Sequence, residues 1–355
     1  MDSMKRIFPI SLILLVIFGC DDIKPEAIGS FNRIYAYADP QEIALVKEPL
    51  EIALEYEIST PRPEKLFRIF WGDTSIFENT DQYHIVLIIA SLQSPEHFGA
   101  FVRISLSDEA LDSVENGKFN IFVKRDTWAR NQILVILTGR TPEEVRSYIL
   151  THTDEIFEIV NSYCNENVTH WIYSSFQGKH EKFDLEKKIV DDYGFGIRVP
   201  RMFEWEKGAG RERFLWLRAL EPERWIFVWW TPLDSIESGL FSLRWLQTTR
   251  DSLCNIYYES DSILNGTLTY EHTRFNDFPA IKYRGRWGNL NAVAGGPVVG
   301  YVFDDTLSNR RYILDGAVFA PAIKKEPYLR HCETIINTFD TDTTGFISAL
   351  RTREK

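Results

Sequence analysis

Cys20 is the residue whose setting most directly prescribes a reaction. It closes Ile17-Phe18-Gly19-Cys20, with a branched aliphatic three places before the thiol and a small residue next to it. Lys5 and Arg6 precede an apolar run from Ile7 to Phe18, the charge-then-apolar order of a secretion signal. The run is shorter than the roughly 20 apolar residues that span a bilayer. Together these features read as a lipobox: the thiol takes a diacylglycerol, the peptide is cut before Cys20, and the new amine is acylated. Phe18 is bulkier than the usual residue at its place. A plain signal peptide or an uncleaved anchor is the alternative, but no A-x-A-like cleavage site stands nearby. Met4 is an alternative start, because Met1-Asp2-Ser3 puts an acid where the region should be basic.

The remaining chemistry is sparse. His152-x-Asp154-Glu155 sets a His and a Glu one helical turn apart, a spacing that can bind metal, but no third ligand accompanies them. A capped helix whose acids face water accounts for the same residues. Residues 340–347 open like an EF-hand loop, with Gly345 at its sixth position. Arg351 occupies the twelfth, where calcium requires a bidentate Glu, and that excludes calcium. Gly295-Gly296-Pro297 reads as a turn rather than an anion nest, since no helix follows it. There is no G-x-S-x-G elbow, the histidines are scattered, and 51 acidic residues make carboxylate pairs inevitable. The pattern therefore assigns no catalytic residue, no cofactor and no metal.

What is left is aromatic. Seven of the ten tryptophans lie between Trp205 and Trp287, where such rings either stack on sugars, anchor a partner or seal a core. Arg284, Arg286 and Trp287 share one predicted strand and form the candidate binding surface, since arginines beside an aromatic can clamp a carboxylate. Cys164, Cys254 and Cys332 are an odd number, so at most one disulfide can form. Cys254 and Cys332 fall on the apolar stripes of predicted helices, where a free buried thiol is expected.

A chain of 355 residues has room for about two domains, and 44% hydrophobic residues suffice for a core. The net charge of −11 argues against nucleic acid or an anionic bilayer as the main partner. In the first half, strands are expected at 33–38, 66–71, 83–90, 119–124 and 132–137. The nearly all-apolar 83–90 should be central. Helices are expected at 41–54 and 107–114, and a longer one from Thr141 to Tyr163. Thr141-Pro142-Glu143-Glu144 forms the capping box of that last helix. Helices and strands do not alternate regularly, which favours α+β over a doubly wound fold.

In the second half, 182–190 and 239–257 read as helices, 194–200 as a strand, and 214–220 with 225–230 as a hairpin. Both faces of 225–230 are apolar, so both should be covered. Four strands follow, at 267–275, 281–287, 298–303 and 311–319. Asn276-Asp277, Gly295-Gly296 and Ser308-Asn309 supply the turn chemistry, and a helix closes the set at 327–339.

The expected class is α+β: two α/β-sandwich-like halves, the second an antiparallel sheet with helices packed on it. The second half's order is loosely similar to PsbP-like sandwiches, an analogy of fold that implies no function. The expected organisation is a signal peptide at 1–19 and a lipidated tether at 20–30. An N-terminal α+β domain at 31–165, a C-terminal one at 166–340 and a polar tail at 341–355 follow.

Several local motifs carry a family resemblance. They are Asp126-Thr127-Trp128-Ala129 with Gln132, Arg284-Gly285-Arg286-Trp287, Gly295-Gly296-Pro297, and 320–325 with the closing helix. With these the chain resembles the domain of unknown function 4837, a family of uncharacterised lipoproteins of Bacteroidota-type bacteria. Val298 departs from an aromatic expected after the Gly-Gly-Pro. The resemblance implies a cell-envelope lipoprotein of the outer membrane and brings no activity or catalytic residue. The expectation is a non-catalytic binding, adaptor or assembly protein with an unidentified protein partner, held on the membrane through Cys20. The alternatives are an envelope hydrolase acting on glycan or peptide, and a small-ligand carrier using the aromatic region.

Overall fold

The computed structural model describes residues 24–174, 181–206, 213–235, 242–257, 260–289 and 291–354. Cys20 and the apolar run before it lie outside the described residues. The first half contains β1 (Arg33–Ala38), α1 (Pro40–Leu54), the two-residue strands β2 (Glu57–Ile58) and β3 (Glu64–Lys65), β4 (Arg68–Gly72), α2 (Thr74–Thr80) and β5 (Ile85–Ser91). It continues with α3 (His97–Ser105), α4 (Asp108–Glu115), β6 (Ile121–Arg125), β7 (Ile133–Gly139), α5 (Pro142–Thr151) and α6 (Thr153–Ser174). Its five-stranded sheet has the order β4-β1-β5-β7-β6. The first four strands are parallel and β6 is an antiparallel edge.

The fully buried β5, apolar up to its last residue Ser91, lies at the centre, as its composition requires. Leu50, Val145 and Val160 from α1, α5 and α6 cover one face of the sheet, and Phe98 and Val102 from α3 help cover the other. The chain is α+β as a whole, and this half is a parallel sheet with helices on both faces. The β2–β3 pair and the reversed β6 break up the alternation that would have announced it.

Helix α3 falls in a stretch that reads as loop because its N-terminal cap comes from elsewhere. Asp39, at the end of β1, accepts the amides of Phe98 and Gly99 at 3.0 Å each and the Ser94 hydroxyl at 2.6 Å. Thr141 caps α5 as expected, through the Glu144 amide at 3.3 Å, while the Glu144 carboxylate reaches one residue further, to the Arg140 amide at 2.9 Å. The single helix expected from Thr141 to Tyr163 breaks at His152. There Thr151 Oγ1 donates to the Ser147 carbonyl at 2.9 Å and the His152 ring stacks on Tyr148, so side chains take up local backbone groups.

The second half contains α7 (Phe183–Tyr193), β8 (Glu204–Trp205), β9 (Phe214–Ala219), β10 (Glu223–Pro232), α8 (Leu243–Tyr257) and β11 (Ser262–Ile263). It ends with β12 (Thr269–Phe275), β13 (Phe278–Asn289), β14 (Ala294–Asp305), β15 (Arg310–Phe319), α9 (Glu326–Ile336) and α10 (Thr343–Arg353). These strands form one antiparallel sheet of eight, in the order β11-β13-β14-β15-β10-β9-β8, with β12 also on β13. Both faces of β10 are covered: Ile226 and Val228 face the core shared with the first half, and Trp225 and Phe227 face α8.

Three expectations are corrected here. Gly295 and Gly296 lie inside β14 rather than in a turn, and the turn falls at 291–293, where Asn289 Oδ1 accepts the amides of Asn291 and Ala292. A Cβ at Gly296 would meet the Val318 carbonyl oxygen at 1.8 Å, so the glycine lets β14 pass β15 closely. Residues 194–200 are extended but join no sheet. They make isolated bridges, and a Cβ on Gly196 would strike Phe346 of α10 at 2.3 Å. Residues 341–355 are not a polar tail, because α10 buries Phe346 and Leu350 against the body.

Arg353 of α10 pairs with Glu181 at 2.5 Å and with Glu186 of α7 at 3.3 Å. Burial pushes the Glu186 carboxyl up to about 8, with the Glu181 charge adding to the rise and the Val199 amide opposing it. A carboxyl raised in the folded chain contributes stability below about 4.5 that is lost as pH climbs toward 8. Glu186→Gln should therefore match wild type at acid pH and gain about 2 kcal/mol relative to it above pH 8 in urea titrations.

The two halves share one continuous core. Helix α9 is the shared element, lying on β10, β14 and β15 on one side and against α6 on the other. The expected boundary between 165 and 166 falls inside α6, which runs unbroken to Ser174. The end of the expected tether also lies along the first half. Ala27 donates its amide to the Arg130 carbonyl at 2.9 Å, and Arg130 returns one to Pro25 at 2.8 Å.

Candidate functional site

An open parallel sheet takes ligands in the crevice outside the carboxyl ends of its strands, where the strand order reverses. Here that position lies between β1 and β5, and the chain fills it itself. Asp39 occupies the N-terminus of α3 where a phosphate would sit, and the buried Glu42 accepts the Ser91 amide at 2.9 Å. An incoming anion would have to displace two carboxylates. The first half offers no nucleotide site at this edge.

One concavity with convergent polar groups is a cleft of about 480 Å³ between the halves. One wall comes from α6 and the β2–β3 segment, the floor from α9, and the other wall from β12, β13 and β14. Its apolar side presents Ile58, Leu66, Phe157 and Leu329, and its polar side Asn161, Asn165, Lys282, Arg284, Tyr301 and Arg330. Clefts at domain interfaces with a few placed polar groups are where ligands most often bind.

Arg330 fixes the floor. Its Nε pairs with Glu326 at 2.9 Å, its Nη1 donates to Asn161 at 2.8 Å and also to Asn165, and its guanidinium lies 5.4 Å from the Phe67 ring centroid. Glu64 of β3 accepts the amides of Lys325 and Glu326, and so caps α9 from the opposite half. Arg330 Nη2 is buried and has no hydrogen-bond partner, and neither has Arg284 Nε.

One turn along α9, Glu333 receives Lys282 at 2.5 Å, Arg284 at 3.2 Å and the Tyr301 hydroxyl at 3.1 Å. Burial alone would raise its carboxyl. Arg284 and Lys282 outweigh burial and hold it down at about 2. Tyr301 is pushed far up by burial and by the Glu333 charge. Both groups therefore keep one protonation state across the physiological range.

The three residues expected to form one surface are divided between the faces of the sheet, as the two-residue period of a strand demands. Arg284 lines the cleft. Arg286 shares its face but is not among the residues lining the cleft. Trp287 points the other way, is 2% exposed, and donates its indole N–H to the Val318 carbonyl at 3.3 Å. It borders a second groove of about 510 Å³ together with Trp216, Trp225, Tyr257 and Phe319. Trp225 and Trp287 are tilted rings 5.1 Å apart that seal the core under α8.

The other motifs are structural. Gln132 is buried, accepts the Trp128 amide at 2.9 Å and donates to the Tyr83 carbonyl at 2.9 Å, which ties the β6–β7 turn to β5. His152 ends α5, and Glu155 accepts the Tyr148 hydroxyl at 2.8 Å. Asp342 caps α10 through the amides of Thr344 and Gly345. Cys164, Cys254 and Cys332 are free and buried, and burial raises their thiols to about 11, 12 and 12. Among the described residues no group of three or more His, Cys, Asp or Glu could hold a metal, and no helix is long and apolar enough to cross a membrane.

The sequence signal for the cleft was slight. Arg284 stood out for its neighbours, but Arg330 sits in a helix covered on both sides, where charged and apolar residues are buried alike.

Residues 182–338 match the profile of a family described as a domain of unknown function, DUF4837. No curated protein matches the chain. Among solved structures, the Saccharomyces cerevisiae Ran-binding protein Mog1p is 10% identical with a TM-score of 0.28, over 43% of this chain and 93% of that one. A variant of Mog1 is 12% identical with a TM-score of 0.27, over 43% and 94%. Scores of this size carry nothing about this chain's partners.

Proposed function

Residues 182–338 being a DUF4837 domain, we propose that the chain is a cell-envelope lipoprotein, held on the outer membrane by lipid on Cys20, that works as a non-catalytic binding or assembly protein through the cleft between its halves. The observation that carries the binding role is the cleft itself, about 480 Å³ between the halves, onto which Asn161, Asn165, Lys282, Arg284, Tyr301 and Arg330 converge.

Within the cleft, Glu333 is poorly suited to acid–base work, while burial raises the carboxyl of Glu326 beside it. A general acid or base works best with its titration near the operating pH, and Glu333 at about 2 is far from it. The thiols are buried and protonated at neutral pH. The aromatic groove is a weaker candidate for a carrier pocket, because Trp225 and Trp287 are at least 95% buried. The partner is taken to be a protein or polar ligand of the envelope, and the net charge of −11 disfavours nucleic acid.

The tether has a geometric consequence. Three residues, and so four Cα–Cα steps, separate Cys20 from Lys24, where the chain is already described beside the first half. Fully extended they reach about 14 Å, so the start of the first sheet would stay close to the lipid surface. Several buried acyl chains at about 0.8 kcal/mol per methylene make such an anchor effectively permanent. Cells grown with an alkyne-bearing fatty acid should label the wild-type chain and leave Cys20→Ala unlabelled and released from the membrane fraction. A Cys20→Ala chain that still takes label, or still sediments with membranes, would defeat the anchor.

A further inference from the structure

We infer that an extended, basic segment of a partner protein adds to the second sheet as an antiparallel strand, on the free edge of β12 at the mouth of the cleft. This rests on the binding role proposed for the cleft and names the kind of partner it takes.

The edge is open and long. β12 pairs with β13 on one side only, and Thr269, Tyr270, Glu271, His272 and Arg274 are all exposed. The strand at the far end of the sheet, β8, is two residues long, as is β11 beside β12. Short strands, prolines and lysines guard sheet edges against pairing, and Thr269–Phe275 has none of these devices.

Its backbone is set for a further strand. Phe275 and Phe278 flank the two-residue turn and so exchange hydrogen bonds. The alternation of an antiparallel ladder then ties Thr273, Glu271 and Thr269 to β13 as well. The Arg286 carbonyl points to this same edge and accepts the Leu264 amide at 2.8 Å, which fixes the phase of β13. Tyr270, His272 and Arg274 therefore turn their N–H and C=O groups outward, where among the described residues no backbone group meets them. Such an edge is what strand addition uses for affinity, with side-chain pockets supplying the choice of sequence.

The two faces of the edge choose the side chains. An added residue opposite Tyr270 or His272 shares their face. There Tyr270 borders a groove of about 300 Å³ lined by Leu243, Leu246, Ile281 and Val302. An added residue opposite Glu271 shares the face of the cleft, whose lining carries Lys282, Arg284 and Arg330 against Glu158, Glu271, Glu326 and Glu333. Glu326 and Glu333 engage the three cations at the floor, while Glu158 and Glu271 are exposed at the mouth. Glu271 has Lys282 only at 3.8 Å. A lysine or arginine placed there meets complementary charge, on a chain of net charge −11. The segment thus alternates apolar residues toward α8 with basic residues toward the cleft.

The test is fluorescence anisotropy on the full-length chain in non-ionic detergent. The probe is a fluorescein-labelled pool, acetyl-Ser-Lys-Xaa-Lys-Xaa-Lys-Ser-amide, with Leu, Ile, Val or Phe at Xaa. In the antiparallel pair the Xaa residues carry the bonded amides and the lysine amides face water. N-methylation at Xaa should therefore weaken binding at least about tenfold, and N-methylation at Lys should leave it close to the parent pool. His272→Pro removes an outward N–H and spares the ladder to β13, so it should weaken the parent pool by the same factor with the circular dichroism unchanged. Should that variant not fold, the two N-methylated pools decide the matter on the wild-type chain. A silent parent pool, N-methylated pools that bind alike, or a folded His272→Pro chain that binds like wild type overturns the inference. So does a doubled mass in sedimentation that His272→Pro abolishes, since a second copy of the chain then holds the edge. A discrete photocrosslink from the cleft with the parent pool silent leaves the binding role standing and removes strand addition alone.

Discussion

Arg250→Met is expected to destabilise the second sheet by about 3–5 kcal/mol, measured by urea unfolding under tryptophan fluorescence. Arg250 of α8 is 1% exposed and pairs with Asp315 of β15, itself 0% exposed, through Nε at 2.7 Å and Nη2 at 3.2 Å. Tyr283 of β13 donates its hydroxyl to the same carboxylate at 2.7 Å. Burial works against the guanidinium charge, but Asp315 outweighs it and holds Arg250 well above its ordinary range. Burial followed by the Asp315 charge raises Tyr283 well above its own. Removing the cation leaves a carboxylate in an apolar layer with one neutral donor. Replacing the whole set is a different matter, because a buried pair exchanged for apolar groups of similar volume is often neutral. Arg250→Met with Asp315→Leu and Tyr283→Phe should therefore recover most of the loss. A triple variant as unstable as the single one would show that packing, rather than the stranded charge, sets the cost.

The legible parts of this chain are those whose signals are local. β12 and β13 and their connection could be read because Asn276-Asp277 marks a two-residue turn, and Asn276 indeed adopts a φ of 49°. Ser107 and Thr141 announce α4 and α5 with their own side chains. Where the deciding group lies far along the chain, the pattern falls silent. α3 depends on Asp39, about sixty residues earlier. α10 is pinned by two buried apolar residues and by Arg353 reaching back to Glu181 and Glu186. Parallel pairing leaves no hairpin turn to read, so the order β4-β1-β5-β7 was hidden behind an irregular succession of elements.

The cleft belongs to the hidden class. Its residues come from α6, α9, the β2–β3 segment and three strands of the second sheet, and only Arg284 had been singled out. What places them together is α9, buried on both sides and capped across the interface by Glu64. The DUF4837 match spans α7 through α9 and ends just short of α10, so it includes the cleft's floor and one wall. The opposite wall, from α6 and the β2–β3 segment, lies outside the match. If the cleft is the binding site, ligand choice is set jointly by a shared half and by the half that precedes it.

That claim has a direct measurement. A photoreactive benzoylphenylalanine replaces Tyr270, which is 49% exposed at the rim of the cleft, in cells carrying the full chain. The control places it at Leu307, 90% exposed in the turn between β14 and β15 and outside the cleft. Irradiation should give a discrete adduct from position 270, by gel shift or by mass. The adduct should be absent from position 307 and lost when Arg284→Gln is added. No adduct from position 270, or the same adduct from Leu307, would contradict a binding role for the cleft.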